Sequence, residues 1–373
     1  MNWRFRLDEA VHDARERTGV PGVAAGFSQG GESAFAAAGV RVLGSNDAVS
    51  VETPFRIASV SKPFTATLAA RCLELDDSLC ALLSHTAGLR CESQEPLPES
   101  CQGLWSYSNA GYWAAGERAA AAGRVSFSEA MQSRVLEPLA LDATGYNEPA
   151  GAARGHVQEG ETGQRAVLED SYPVARRPSG GLWSTVADLV HFGEHHVASE
   201  RALHEPRADA LGARYALGWW VRDLGGRVAL DHEGSVGGYQ SLLLLVPEEQ
   251  LVLAVLTNSW RGSGAIRRIV ASLDLAPASA ASEPVPEAVA GVYALDGVEA
   301  TVAVEGDSLR VREAETDPVT NARIERRYPT RPIGGGVFGF AGGVLQSHRL
   351  DFPRADVARV GWLALPRVME PVS

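Results

Sequence analysis

Phe55-Arg56-Ile57-Ala58-Ser59-Val60-Ser61-Lys62 holds the lone lysine of a chain that has 34 lysines and arginines in all. Arginine stays protonated, whereas a desolvated lysine can lose its proton and act as a base. A composition that uses arginine at every other basic position marks Lys62 as a place where a titratable amine is wanted. Ser59 stands three residues before it. If Ser59 opens a helix, both side chains project from one face of the first turn. A serine hydroxyl is a poor nucleophile until a neighbouring base takes its proton. The helix N-terminus adds partial positive charge and a free N–H for a developing oxyanion. Pro63 falls in the first turn, where a missing N–H costs least.

Outward from this stretch, Ser61 to Leu75 reads as a helix rich in Ala and Leu. Before it, Leu7 to Arg17 has helical spacing of Leu7, Val11 and Ala14. Val20 to Phe27 and Glu32 to Val42 read as strands around Ser28-Gln29-Gly30-Gly31. After it, residues 76–200 read mainly as helix broken by Gly and Pro. Arg227 to Asp231, Tyr239 to Val246 and Leu251 to Thr257 are later strands, followed by a helix from Ala265 to Leu273. Strands at both ends with helices between them predict one α+β domain over 1–276, its antiparallel sheet built from the termini around a helical insertion. Pro277 to Pro286, rich in Ala, Ser and Pro, reads as a linker. Beyond it, 287–373 reads as a small all-β domain. Glu299 to Val304 and Ser308 to Glu313 alternate around Glu305-Gly306-Asp307, a hairpin signal.

A net charge of −12 argues against nucleic acid and anionic membrane as partners. No run of about 18 apolar residues occurs, and residues 1–10 lack a leader-like apolar stretch, so a cytoplasmic location is expected. Cys72, Cys80, Cys91 and Cys101 match no metal-knuckle spacing. Reduced thiols are the expectation, with a Cys91–Cys101 bridge across the proline-rich loop as the alternative and a zinc site with His85 a distant third. No cofactor is implied.

Two further motifs carry chemistry. In Trp105-Ser106-Tyr107-Ser108-Asn109-Ala110-Gly111-Tyr112, a tyrosine near a lysine can relay protons. The asparagine can bond a substrate amide or bridge to the lysine. Read alone, the same residues make a core tyrosine and a capping asparagine. His232-Glu233-Gly234-Ser235 follows a strand. Gly234 lets a substrate lie against the strand edge, and the Ser235 N–H offers a second oxyanion donor. Read alone, His232 is a structural histidine.

Their order, S-x-x-K then Y-S-N then H-E-G, resembles the serine β-lactamase and penicillin-binding-protein superfamily, in particular its class C β-lactamase-like branch of esterases, D-amino-acid peptidases and transpeptidase-like enzymes. Leu82-Leu83-Ser84-His85-Thr86-Ala87-Gly88-Leu89 and Ser179-Gly180-Gly181-Leu182-Trp183-Ser184-Thr185 extend the likeness, which spans roughly residues 5–272. The tail resembles, in pattern, the lipocalin-like β-domain that follows such enzymes. The resemblance implies Ser59 as acylated nucleophile and Lys62 as its base partner. It implies Tyr107 as proton shuttle to the leaving group and activator of water for deacylation. Asn109 would hold an acyl-side amide, and Ser59 N–H and Ser235 N–H would form the oxyanion hole. His232 and Gly234 would line the leaving side, with His232 where penicillinases carry lysine.

Two departures shape the reading. The interval between Ser59 and Tyr107 is shorter than the branch usually shows, and His232 removes a permanent positive charge suited to a β-lactam carboxylate. The expected activity is therefore a serine hydrolase acting on a small ester, amide or peptide. Alternatives are an acyl transferase, peptide cyclase or D-amino-acid peptidase of the same fold, then a true β-lactamase, then a non-catalytic scaffold.

Overall fold

The computed structural model describes residues 3–160, 163–167, 171–276, 289–295, 298–305, 308–316, 323–334, 337–340, 349–354, 357–360 and 363–368. The linker Pro277–Pro286 and the Gly306-Asp307 turn lie outside the described residues. The chain divides into two compact units. The first comprises Met1–Leu83, Tyr112–Arg207 and Tyr215–Ala278. The second comprises Ser84–Gly111, Ala208–Arg214 and Ser279–Ser373.

The first unit is built on an antiparallel sheet. In spatial order it contains Glu32–Gly39, Gly22–Gln29, Leu251–Thr257, Tyr239–Val246, Val228–Val236 and Trp220–Asp223. The registers Ala25↔Val255, Leu243↔Ala254 and His232↔Leu243 tie the first strands of the chain to the last strands of the unit. Apolar residues occupy both faces in alternation, as the two-residue period of a strand demands. Val23, Ala25, Phe27, Leu242, Leu244, Leu253 and Val255 face Leu7, Val11, Ile266 and Ile269 of the helices Trp3–Thr18 and Gly262–Ser272. Ala24, Leu243, Leu245, Val252, Ala254 and Leu256 join Phe64, Leu68, Leu189 and Phe192 on the other face. A sheet buried on both faces explains the near-continuous apolar runs Tyr239–Val246 and Leu251–Thr257.

The predicted helix after Ser59 is present as Ser61–Cys72. It anchors by Phe64, which stacks on Phe192 with ring centroids 3.7 Å apart. The 76–200 region is less helical than its sequence suggests. Helices Asp77–Leu83, Asn109–Gly123 and Val186–Ser199 form, with a small hairpin of His156–Glu159 and Gly163–Ala166. Between Ser84 and Ser108 the only regular element is the single 3-10 turn Glu99–Cys101. Pro96 and Pro98 and the left-handed Gly88 and Gly103 exclude a continuous helix there.

In the second unit, eight strands from Gly291–Leu295 to Leu363–Val368 close into an antiparallel barrel, the first and last joined at Val292↔Val368. The predicted hairpin is its second and third strands, Val298–Glu305 and Ser308–Thr316, in register Val302↔Val311. Tyr293, Ala300, Val302, Leu309 and Val311 are buried. All four cysteines are free thiols, so no Cys91–Cys101 bridge is present.

Candidate active site

Ser59 lies in a one-turn 3-10 helix, Ala58–Val60, that leads directly into Ser61–Cys72. The turn is entered through Ala58 at φ +46°, a left-handed conformation uncommon for a residue with a Cβ. Strain of this kind persists only where surrounding contacts hold it. Here Ile57 N–H donates to Leu182 O at 3.0 Å, Leu182 N–H donates to Ser61 Oγ at 3.2 Å, and the Ser241 hydroxyl donates to Ile57 O at 2.7 Å.

Lys62 is fully buried one turn on. Its Nζ is 3.0 Å from Ser59 Oγ and donates to Ser179 O at 2.8 Å. The same nitrogen lies 5.4 Å from the centroid of the Tyr112 ring. With one N–H on the Ser179 carbonyl, a neutral amine can turn its lone pair to the Ser59 hydroxyl, the geometry that proton abstraction requires.

Gly234 lies against the nucleophile turn. A Cβ there would sit 2.3 Å from Ile57 O and 3.1 Å from the Ala58 Cβ, so only glycine lets the strand Val228–Val236 approach so closely. The next residue, Ser235, is exposed. His232, two residues before Gly234, is buried with both ring nitrogens engaged by protein. Nδ1 is 2.7 Å from Glu233 O, which can only accept, so Nδ1 carries hydrogen. Burial, reinforced by the Lys62 charge, pushes the imidazole down to about 3, leaving it neutral. Nε2 therefore accepts from the Tyr215 hydroxyl at 3.1 Å. The first unit thus assembles Ser59, Lys62, His232, Gly234 and Ser235.

Tyr107 and Asn109 belong to the second unit, and His85 organises the backbone around them. Ser106 N–H donates to His85 O at 3.0 Å, and Ser108 N–H donates to His85 Nδ1 at 3.0 Å. The Tyr107 ring lies on the imidazole, centroids 4.3 Å apart at 36°. Trp105 meets the same imidazole edge-on at 5.8 Å. One histidine therefore grips the residues on both sides of Tyr107 and supports its ring. Ser108 Oγ donates to Arg90 O at 2.7 Å and accepts from Gly111 N–H at 3.0 Å, at the start of the helix Asn109–Gly123. The Asn109 amide donates to Glu92 Oε1.

Three residues with no role in the sequence reading emerge here, Tyr112, Ser179 and Tyr215, and His85, read from sequence only as a remote zinc ligand, proves to support Tyr107. Tyr112 stands in the quoted text around Tyr107, whereas His85 and Ser179 stand in quoted stretches that meet Tyr107 and Lys62 only in space. Tyr215 stands in no quoted stretch, and it meets His232 only through folding. Among the described residues, no group of three or more His, Cys, Asp or Glu is placed to hold a metal ion. Nor is any described helix long and apolar enough to cross a membrane.

The sequence signature of the Beta-lactamase family matches residues 7–79 and 78–276. The chain belongs to the beta-lactamase family. It is 24% identical to penicillin-binding protein 4 of Amycolatopsis lactamdurans over 69% of this chain and 84% of that protein. The structure of SurE with D-Leu aligns with a TM-score of 0.74 at 22% identity, covering 98% of this chain and 99% of that one. The D-amino acid amidase from Ochrobactrum anthropi SV3, complexed with L-phenylalanine amide, aligns with a TM-score of 0.62 at 19% identity over 73% and 99%. At these identities the structures establish the fold. The beta-lactamase-family relatives are serine enzymes of hydrolase type, and a function of that type is the one this membership supports.

Proposed function

We propose that this protein is a serine hydrolase that cleaves small esters or amides through an acyl-Ser59 intermediate. The observation that carries the reading is the buried Lys62 Nζ, 3.0 Å from Ser59 Oγ, with Ser179 O orienting it. In the first step Lys62 takes the Ser59 proton as Oγ bonds the substrate carbonyl carbon. The backbone N–H groups of Ser59 and Ser235 receive the oxyanion. Collapse breaks the ester or amide bond, and Tyr107 passes a proton to the departing alcohol or amine. Water, activated through Tyr107, then releases the acid and restores Ser59. Asn109 binds the acyl-side amide. His232 is neutral and offers no fixed positive charge to a β-lactam carboxylate, which favours short esters over β-lactams.

A second reading has an amine acceptor replace water, or a D-amino-acyl group as substrate. It is supported by the likeness over both units to SurE, solved with D-Leu, and by the likeness to a D-amino acid amidase.

The test is covalent labelling with a fluorophosphonate, followed by turnover of p-nitrophenyl acetate and butyrate, D-amino-acid amides and nitrocefin. Mass is expected on Ser59, and kcat/KM for the esters is expected to exceed that for nitrocefin. Ser59→Ala should abolish labelling and cut kcat by at least about 10³-fold with the fold intact. Full turnover in that variant would overturn the assignment, and a preference for nitrocefin would overturn the ester reading.

A further inference from the structure

The segment that carries Tyr107 and Asn109 belongs to the second unit. Ser84–Gly111 groups with the C-terminal barrel. From Ser84 to Ser108 it has a single 3-10 turn, and a connection that long without regular structure needs support from elsewhere. The support is visible in its apolar side chains. Leu97 and Cys101 are buried in one cluster with Val357 of the barrel strand Val357–Val360, and Leu104 and Leu295 pack against that cluster. The neighbouring barrel strand Leu363–Val368 lies against the turn Glu99–Cys101. Val357 and Ala358 are both fully buried although successive strand residues face opposite ways. One face of this strand serves the barrel, and the other carries Val357 to the segment.

A short chain of bonds runs from that anchor to Tyr107. Leu97 N–H donates to Gly88 O at 2.7 Å, and Gln102 Nε2 donates to Leu97 O at 2.7 Å. Gly88 adopts φ +66°, which favours glycine, and a Cβ there would fall 2.2 Å from Gln102 Oε1 and displace the Gln102 amide. Leu89 bridges to Pro96, Arg90 N–H donates to Glu95 O at 3.0 Å, and Arg90 O accepts from the Ser108 hydroxyl. The apolar anchor and the residue after Tyr107 are thus joined through Gly88, Leu89 and Arg90.

We propose that the barrel is a positioning domain for Tyr107, holding the Ser84–Ser108 segment through the Leu97–Cys101–Val357 contact. The inference rests on the reading of Tyr107 as proton shuttle. It makes Leu97 and Val357 positioning residues. They touch no substrate, and their effect passes through the tyrosine.

The test is a double-mutant cycle in the full-length protein, measuring kcat and KM for p-nitrophenyl butyrate. Leu97→Ala and Val357→Ala are made singly, each in the wild type and in Tyr107→Phe, with folding checked by circular dichroism. In the wild type each should lower kcat by about fivefold or more with KM nearly unchanged, and each should add nothing further in Tyr107→Phe. Val357→Ala removes less volume than Leu97→Ala, so the cycle stands if only that variant folds. Folded variants with wild-type kcat, or equal losses in both backgrounds, would overturn the positioning role while leaving Tyr107 in place. Wild-type turnover in Tyr107→Phe would instead overturn the shuttle reading, and the inference with it.

Discussion

The first unit holds Ser59 and Lys62 by burial in a core; the second supports Tyr107 through hydrogen bonds, the His85 ring and a small apolar cluster. Around Lys62 the helix Ser61–Cys72 is buried over most of its length and shares a core with both ends of the sheet. Around Tyr107 the chain is irregular, and its geometry depends on His85, on Gln102 and on Val357. A nucleophile on a packed helix tolerates the loss of a neighbour, since each buried aliphatic side chain contributes about 1.5–3 kcal/mol to a large total. A tyrosine on an irregular segment is placed instead by the side chains that fix its backbone. The units should therefore fail differently: the first in chemistry at an intact fold, the second in geometry.

The largest effect expected from this contrast is at Lys62. Lys62→Arg preserves charge and much of the volume but cannot accept a proton, so kcat should fall about 10²-fold or more, close to Lys62→Ala. Stopped-flow acylation with a fluorogenic ester measures it. Retention of more than about a tenth of the wild-type rate, roughly 1.4 kcal/mol in barrier, would remove Lys62 from the base role.

A smaller effect belongs to the second unit. His85 sits at φ +62° and accepts from Ser108 N–H through Nδ1. Asparagine tolerates that backbone conformation and offers a carbonyl oxygen in a similar place, whereas phenylalanine keeps a ring and loses the acceptor. His85→Phe should lower kcat about tenfold and His85→Asn only about twofold to threefold, at similar melting temperatures. Equal losses in the two variants would show that the acceptor is not what places Tyr107.

The remaining effect is on stability and belongs to the first unit. Burial pushes His232 down to about 3 and His204 to about 4, and drives His196 well below its ordinary 6.5. His196 bonds Thr67 of the nucleophile helix at 2.9 Å and His204 at 3.2 Å. The unfolded chain takes up these protons below about pH 6.5 while the folded chain does not, so stability falls as pH drops from there toward about 4. Above that range these groups impose no slope. Urea midpoints measured at about pH 7 and about pH 5 should differ, by at most about 1.4 kcal/mol per pH unit for each histidine, and His232→Gln should flatten the dependence. A midpoint that does not move would mean the histidines are not held neutral.

Much of the first unit was legible in the residues themselves. A strand buried on both faces must be apolar along most of its length, so Tyr239–Val246 and Leu251–Thr257 announce themselves; a helix that carries a lysine into a core must follow it largely with apolar residues, as Phe64, Ala66, Leu68 and Ala69 do. The Ser59–Lys62 pair was readable because i and i+3 are neighbours on any helical turn. The stretch from Ser84 to Ser108 was not readable, because no periodicity governs it. Its course is set by His85 reaching Ser108, by Gln102 reaching Leu97 and by Val357 arriving from the far end of the chain. Tyr215 meets His232 for the same kind of reason, across strands with no local signal. Local pattern and covalent spacing determined the central strands of the sheet, the nucleophile helix, one hairpin of the tail and the serine–lysine pair. Tertiary structure alone decided which histidine supports Tyr107, which hydroxyl fixes His232, and that the tail packs against the Tyr107 segment, because those contacts join residues whose separation along the chain carries no information about their distance in space.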